Sequence, residues 1–306
     1  MTIASIDIGT NTILLLIAEI IEESQKIIPI VNVYRMPRIG QGTKATGRIN
    51  TGKMTLLLEV LKEYDSIIKN HKCDKVILTG TNAFRMAKNT PEIIEFIKKH
   101  FNYDLNVVSG DIEAEFAYLG AVSNLDEFNT SMVIDIGGSS TEIIVGESNK
   151  ISFKKSLQLG SVSATEQFLV HSPPLKFEIK NLRQEIKRLF SDIDKRIIPE
   201  QVVAVAGTAT TLACMKLGLF EFKEDLVEKS SISIQDIKCM IEELSSLTPP
   251  GILNKNGPVM EGREDIIFAG AFILYQFMQH FGIEIIAVST RGIRYGAIVK
   301  YLTNLN

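Results

Sequence analysis

Two copies of one tetrapeptide decide the fold: residues 6–11 read IDIGTN, and residues 134–140 read IDIGGSS. Each copy ends a short apolar run, and each is followed by small and polar residues that suit a tight turn. The two segments superimpose without gaps at a shift of 128 residues, which places Asp7 on Asp135. The same strand and turn are therefore expected twice in the chain.

A second pair of similar segments lies at nearly the same shift. Residues 76–87 read VILTGTNAFRMA and align at a shift of 127 with residues 203–214, which read VAVAGTATTLAC. Each segment predicts a strand, a Gly-Thr step and a helix. Two pairings at almost equal shifts indicate an internal duplication.

Working outward, apolar runs and helical periodicity alternate along both halves. Strands are expected at residues 3–8, 12–20, 26–34, 75–78 and 105–108, and again at 132–136, 141–145, 151–157, 201–206 and 283–288. Helices are expected at residues 53–72, 109–121, 176–195, 234–247 and 264–280 and after residues 80, 89, 207 and 288, whereas 172–175 and 248–260 are expected to be loops. The pattern predicts an α/β fold made of two duplicated domains with a cleft between them.

The 306 residues also suggest two domains. A polar break at 124–130 places them at 1–124 and 125–306, with a last helix at about 294–306 that could pack back on the first domain. Hydrophobic residues make up 45% and charged residues 23%, an ordinary globular composition that excludes a disordered or fibrous protein.

Charge and cysteine usage exclude further classes of protein. The net charge of −3 provides no overall positive field for nucleic acid or an anionic membrane. Cys73, Cys214 and Cys239 stand far apart without a CxxC pair, which argues against a disulfide framework or a zinc site. No apolar run reaches the roughly 20 residues of a membrane span. We expect a soluble, cytoplasmic protein.

The Gly-rich turns suit phosphate groups. Small residues in Gly9-Thr10-Asn11 and in Gly137-Gly138-Ser139-Ser140 allow backbone N–H groups to converge on an anion. Gly80-Thr81 and Gly207-Thr208 precede helices, whose N-terminal amides also favour phosphate. An aspartate beside such turns suggests Mg²⁺ bridging carboxylate and phosphate oxygens. The alternative is that each Gly-Thr step is only a tight connection.

Residues 47–53 fit the pattern G-x-x-x-x-G-K but do not predict a nucleotide P-loop. Met54 replaces the Ser or Thr that would bind Mg²⁺, and no apolar strand precedes the segment. This stretch is better interpreted as the loop before a helix.

With these residues in hand, the sequence resembles the exopolyphosphatase / guanosine pentaphosphate phosphohydrolase family of the actin / sugar-kinase superfamily. The segments that carry the resemblance are IDIGTNTILLLI, the RIGQG…TGRI stretch, TGTNAFRMAKN, SGDIEAEFAYLGA, IDIGGSSTEIIVG, SLQLGSVSATEQFL, AGTATTLA, REDIIFAGAFIL and STRGIRYG. The resemblance implies two ribonuclease-H-like domains, the short form of the family, and hydrolysis of a terminal phosphoanhydride with Mg²⁺. A homodimer is a further expectation, because the family often dimerises.

The resemblance also implies roles for individual residues. Glu113 matches the catalytic glutamate that activates water, and Arg85 and Arg263 match arginines that hold substrate phosphate. Asp135 and Glu142 match acidic positions associated with Mg²⁺, and Asp7 is the third expected metal-site carboxylate. The turns expected to bind phosphate are Gly9, Thr10, Asn11, Gly137, Gly138, Ser139, Ser140, Gly207 and Thr208.

Three positions depart from the family pattern. Ile112 stands where an acidic residue is common, Ser139 replaces a third glycine, and Ser163 replaces an arginine, so one phosphate contact is expected to be missing. Weak candidates for a basic path along a polyanion are Lys154, Lys155, Lys187 and Arg188.

The chemistry of the substrate leaves alternatives open. Polyphosphate and guanosine pentaphosphate both end in a phosphoanhydride, so the residues do not separate them. Two other classes compete: an actin-like ATPase or kinase, and a non-catalytic sensor of polyphosphate or guanosine tetraphosphate.

Overall fold

The chain divides into two compact units. The computed structural model describes residues 1–21, 23, 26–123, 130–147, 150–194, 199–228 and 230–304. The first unit comprises the described residues of 1–124 and 291–306, and the second those of 125–290. The predicted range 125–306 thus runs past the end of the second unit, because the last helix belongs by its contacts to the first.

The first unit is built on a mixed sheet. Its strands are β1 (Thr2–Ile8), β2 (Ile13–Ile21), β3 (Lys26–Arg35), β4 (Lys75–Gly80) and β5 (Leu105–Val107), in the order β3-β2-β1-β4-β5. β1, β2 and β3 pair antiparallel, whereas β4 and β5 are parallel to β1. Its helices are α1 (Thr43–Thr46), α2 (Thr51–Asn70), α3 (Asn82–Met86), α4 (Thr90–Phe101), α5 (Gly110–Val122) and α13 (Ile293–Thr303).

The second unit repeats this topology. Its strands are β6 (Ser131–Ile136), β7 (Thr141–Glu147), β8 (Lys150–Leu157), β9 (Gln201–Val205), β10 (Ser231–Ser233) and β11 (Ile285–Val288). The order β8-β7-β6-β9-β11 matches that of the first sheet in both sequence and strand direction, and β10 is added antiparallel to β11. The predicted α/β fold with one unit present twice is confirmed.

The helices of the second unit correct one prediction. They are α6 (Ser161–Phe168), α7 (Lys176–Phe190), α8 (Ala206–Leu217), α9 (Glu224–Val227), α10 (Ile234–Leu244), α11 (Pro249–Asn256) and α12 (Ile267–Phe281). The loop predicted at 248–260 is wrong, because it contains α11 and a 3₁₀ turn at Pro258–Met260. Proline lacks an N–H, but the first residues of a helix need none, so Pro249 and Pro250 begin a helix here.

Apolar side chains cover both faces of the first sheet. On one face, Ile6 of β1 packs in a cluster with Leu61 of α2. On the other face, Ile3 packs with Tyr295 and Ile298 of α13. Burial on both faces explains why β1 is an almost continuous apolar run. It also explains why α13 belongs to this unit.

In the second unit, α12 is the central core helix. Eleven of its 15 residues are buried, and nine of these lie in one hydrophobic cluster with residues of β6, β7, β9 and β11. Its apolar character therefore reflects burial in protein. No helix in the described ranges is both long and apolar enough to cross a membrane.

Helices α5 and α13 approach each other closely through glycines. A Cβ atom built on Gly296 would overlap the carbonyl of Phe116, and one built on Gly120 would overlap the carbonyl of Gly292. Glycine at these positions allows the two backbones to touch.

We expect Gly296→Ala to lower the free energy of unfolding by about 1–3 kcal/mol, because the added methyl group meets backbone that cannot move aside easily. The matched control is Gly52→Ala in α2, where a Cβ would make only an ordinary 3.5 Å contact with Asn50. This control should be neutral or slightly stabilising. Urea unfolding of the two variants measures the difference, and equal effects would contradict the close packing of α5 on α13.

Candidate functional site

Both Ile-Asp-Ile-Gly segments end in the same tight turn. The N–H of Gly9 donates to the carbonyl of Thr12 at 3.0 Å, and the N–H of Gly137 donates to the carbonyl of Ser140 at 3.0 Å. Seven of the predicted phosphate-binding residues lie in these two turns, namely Gly9, Thr10, Asn11, Gly137, Gly138, Ser139 and Ser140. Sequence similarity between the copies therefore corresponds to the same backbone geometry.

In the first unit, residues 38–40 form hydrogen bonds to the carbonyl groups of this turn. The N–H of Gly40 donates to the carbonyl of Thr10 at 2.9 Å, and the N–H of Arg38 donates to that of Asn11 at 3.0 Å. Within the described residues, neither the backbone N–H nor the side-chain amide of Asn11 has a hydrogen-bond partner, although the residue is only 6% exposed. Buried polar groups are normally paired. The N–H side of the turn is thus available to a ligand.

The second unit uses the N-terminus of α6 for the same purpose. The N–H groups of residues 161–163 donate to the carbonyls of Gly137 and Gly138 at 2.8–3.0 Å. A Cβ on Gly160 would overlap both carbonyls, so glycine is required for this contact. Over the described part of the chain, the N–H groups of Gly138 and Ser140 have no acceptor. The amides of α6 therefore fix the turn and leave the turn's own amides to bind an anion.

Ser163 is part of this support. Its Oγ accepts a hydrogen bond from the N–H of Gly160 at 2.9 Å and donates to the carbonyl of Ser139 at 3.4 Å. The side chain is buried. The serine that stands in place of an arginine therefore holds backbone, and sequence reasoning missed this role although the Gly-Ser start of α6 was visible.

The threonine of each Gly-Thr step is equivalent in the two units. Thr81 Oγ1 donates to the carbonyl of Ile8 at 3.4 Å, and Thr208 Oγ1 donates to the carbonyl of Ile136 at 3.3 Å. Both bonds tie a helix start to the strand that leads into the turn. Each Gly-Thr step is therefore placed beside the Ile-Asp-Ile-Gly turn of its own unit.

The strand before each Gly-Thr step is β4 in the first unit and β9 in the second. The register in which these strands pair with β1 and β6 differs by one residue from the sequence alignment of the two copies. Asp7 pairs with Thr79 and Asp135 pairs with Val205, a shift of 126 instead of 127. The extra residue of the second unit is taken up at Ala206, which adopts a positive φ of 67°. This left-handed conformation is costly for alanine and is often held at functional positions.

Arg263 lies directly on Gly207. A Cβ at position 207 would overlap the Arg263 guanidinium, and Thr208 in turn lies against Gly270 of α12. The structure thus brings together three of the predicted phosphate-binding residues of the second unit.

Two carboxylates of the second unit face each other across strands. Asp135 and Glu142 are directly opposite in β6 and β7, and both are buried. Ser156 of β8 lies opposite Glu142 and donates to its carboxylate at 2.6 Å. No group of three or more His, Cys, Asp or Glu able to hold a metal occurs within the described ranges. Two carboxylates nevertheless fit Mg²⁺, which commonly binds one or two carboxylates together with substrate phosphates.

The remaining carboxylate of the predicted metal set is in the first unit. Asp7 is buried in β1 and lies opposite Leu14 of β2, the position that corresponds to Glu142. The first unit therefore has one carboxylate where the second has a pair.

Glu113 is buried and forms an ion pair with the partly buried Arg85 in the first unit. Ser109 caps α5 by accepting from the N–H of Ile112, which places Glu113 in the first turn. Arg85 Nη1 donates to Glu113 Oε2 at 2.6 Å and to the carbonyl of Val108 at 2.8 Å. Arg85 Nη2 is buried and has no partner among the described residues. One guanidinium nitrogen thus positions the carboxylate, and the other is left for a ligand.

Burial raises the pKa of Glu113 above its ordinary value, and the adjacent Arg85 guanidinium opposes this rise. A buried carboxylate with a raised pKa is a stronger base than one in water. Perturbed pKa values of this kind are frequent at functional sites.

Two of the four weak candidates for a basic path lie beside carboxylates. Lys155 lies 3.8 Å from Asp192, and Arg188 pairs with Glu185 at 2.7 Å. These charges are offset by neighbouring carboxylates on the surface.

Comparison with known proteins finds one family of phosphatases and its relatives. The model of the Ppx/GppA phosphatase family matches residues 16–305. Exopolyphosphatase 2 of Mycobacterium tuberculosis is 27% identical, covering 95% of both chains. A bifunctional 3-dehydroquinate synthase/phosphatase of Fusobacterium nucleatum is 28% identical over 98% of this chain, which spans 46% of that longer protein. The crystal structure of the Aquifex aeolicus Ppx/GppA family member superimposes with a TM-score of 0.87 at 28% identity, covering 100% of this chain and 99% of the other.

We expect Arg85→Met to raise the pKa of Glu113 further, because the opposing positive charge is lost while burial remains. Titration of the Glu113 side-chain carboxyl by ¹³C NMR measures this shift. The control is Lys300→Met. This substitution removes the cation that pairs at 2.8 Å with Glu115, which lies on the same helix as Glu113. The control should leave the Glu113 titration unchanged. A lower Glu113 pKa in Arg85→Met would contradict the pairing.

Proposed function

Because the chain belongs to the Ppx/GppA phosphatase family, we propose that it is an exopolyphosphatase that hydrolyses the terminal phosphoanhydride of inorganic polyphosphate and releases orthophosphate. The observation that carries this proposal is the ion pair of Glu113 and Arg85, in which one guanidinium nitrogen holds the carboxylate and the other has no partner within the described residues.

In this proposal Glu113 is the general base. Hydrolysis needs a water molecule in line with the leaving phosphate, and a carboxylate held at one oxygen by Arg85 can orient that water and accept its proton. Because burial raises the pKa of Glu113, the carboxylate has a greater affinity for the proton. Activity should fall as the pH drops through that raised pKa, since the protonated acid cannot act as a base.

The backbone turns and arginines stabilise the phosphoryl charge. In the second unit the N–H groups of Gly138 and Ser140 would donate to phosphate oxygens, and Arg263 beside Gly207 would hold a further oxygen. In the first unit, Arg85 Nη2 would bind the phosphoryl group nearest the water. Asp135 and Glu142 would hold Mg²⁺, which supplies neutralisation of phosphate charge when bound.

We expect Glu113→Gln to reduce orthophosphate release by at least ~100-fold, because the amide cannot accept the proton. The matched control is Glu115→Gln, which removes a carboxylate two residues along α5 that pairs with Lys300. This control should retain activity within about threefold, since exposed ion pairs contribute little. A loss of less than ~10-fold in Glu113→Gln, with unchanged unfolding, would exclude Glu113 as the base.

Chelation of Mg²⁺ tests the metal and the class of reaction together. Orthophosphate release is measured on polyphosphate, on guanosine pentaphosphate, and on ATP with and without an acceptor, each with Mg²⁺ and with excess EDTA. We expect release from polyphosphate alone, abolished by EDTA and restored by added Mg²⁺. Dependence on ATP and an acceptor would indicate a kinase, and binding without release would indicate a sensor.

A further inference from the structure

We propose that Lys53 and Arg38 hold a phosphoryl group that does not react, in an oligophosphate chain, beside the Thr10–Asn11 turn of the first unit. This inference rests on the proposed function, because it assigns a subsite to the same substrate. Neither residue belongs to the two glycine turns, to the Asp135 and Glu142 carboxylates or to the Glu113–Arg85 pair described above.

Lys53 is held over the segment that supports the turn. It lies in the first turn of α2, where Asn50 caps the helix by accepting from the Lys53 N–H at 2.9 Å. Its Nζ donates to the carbonyl of Pro37 at 2.9 Å. The ammonium group is thereby fixed next to residue 38 and retains two further N–H donors.

Arg38 connects this cation to the turn. Its N–H donates to the carbonyl of Asn11 at 3.0 Å, and its backbone adopts a positive φ of 52°. Its guanidinium is close enough to Lys53 to lower the pKa of the ammonium group, in addition to the larger effect of burial. No carboxylate among the described residues contributes to the shift of Lys53.

The Asn11 side chain is an independent indication that a ligand binds here. Both its amide nitrogen and its oxygen are buried and without a partner among the described residues. An unsatisfied buried amide costs free energy. An anion bound beside it removes this cost, because it accepts from the amide, and the anion is also attracted to the Lys53 ammonium group.

The chemistry favours a phosphoryl group within a chain. Arginine and lysine together offer a planar fork and a point charge, a combination that suits the tetrahedral oxygens of phosphate. Lys53 and Arg38 lie beside the Thr10–Asn11 turn. A phosphoryl group that they hold would therefore be a different member of the oligophosphate chain from the one bound by the turn itself. We expect it to contribute to binding and little to the chemical step.

The test is binding of inorganic tripolyphosphate, measured by calorimetry in a Glu113→Gln background so that turnover does not interfere. We expect Lys53→Met to weaken binding roughly tenfold, the loss of one charge-assisted hydrogen bond. The matched control is Lys62→Met, an exposed lysine on the same helix that removes the same charge and should change affinity less than twofold. Lys53→Arg should restore most of the binding. Equal losses in Lys53→Met and Lys62→Met, or no loss in either, would overturn the proposal.

A second measurement uses the lysine itself. The pKa of the Lys53 ammonium, followed by NMR of its side chain, should rise when tripolyphosphate binds, because the anion offsets burial and the charge of Arg38. An unchanged pKa at saturation would place the phosphate elsewhere. Binding of guanosine triphosphate with the same dependence on Lys53 would assign the subsite to nucleotide phosphates as well. Both readouts are independent of hydrolysis, so a failure of Glu113 as the base would not be mistaken for a failure of this subsite.

Discussion

The structure depends on one repeated interaction, in which backbone N–H groups from a later segment hold the carbonyl side of each glycine turn. The donors are Arg38 and Gly40 in the first unit and residues 161–163 in the second. A tight turn has its carbonyl groups and its N–H groups on different sides. When the carbonyl groups are held by a later segment, the N–H groups remain free to face a ligand. In the proposed function, phosphate would be bound mainly by backbone, which tolerates a change of side chain such as serine at position 139.

Local features of the sequence predicted the elements that carry the site. The apolar runs before Gly9 and Gly137 are strands, and Ser109 caps α5 as its sequence indicates. Ser233 and Asp236 form a capping box at the start of α10, with both of its hydrogen bonds present. These features depend on residues within a few positions of one another, so periodicity and capping rules were sufficient.

Features that depend on distant contacts were not predictable in the same way. The packing of Gly296 against the carbonyl of Phe116 connects residues far apart in sequence, and no local pattern specifies it. The one-residue offset at Ala206 is invisible to an ungapped alignment, because both copies keep the same Gly-Thr step. The role of Ser163 in supporting the turn required the position of Gly160. The two prolines that begin α11 follow a local rule, because proline is favoured in the first turn of a helix. The sequence could therefore have predicted this helix in place of a loop.

Comparison of the two units shows how a duplicated fold acquired different chemistry in its copies. Across the strands from Asp135, the second unit has Glu142 and then Ser156, whereas the corresponding row in the first unit continues from Asp7 to Leu14 and Tyr34. A buried carboxylate is costly unless it is hydrogen-bonded or paired, and Ser156 supplies one such hydrogen bond to Glu142. Besides Asp7 in its sheet, the first unit has a buried carboxylate at Glu113, on a helix after β5. The copies therefore keep the same backbone turn while differing in where they place buried carboxylates.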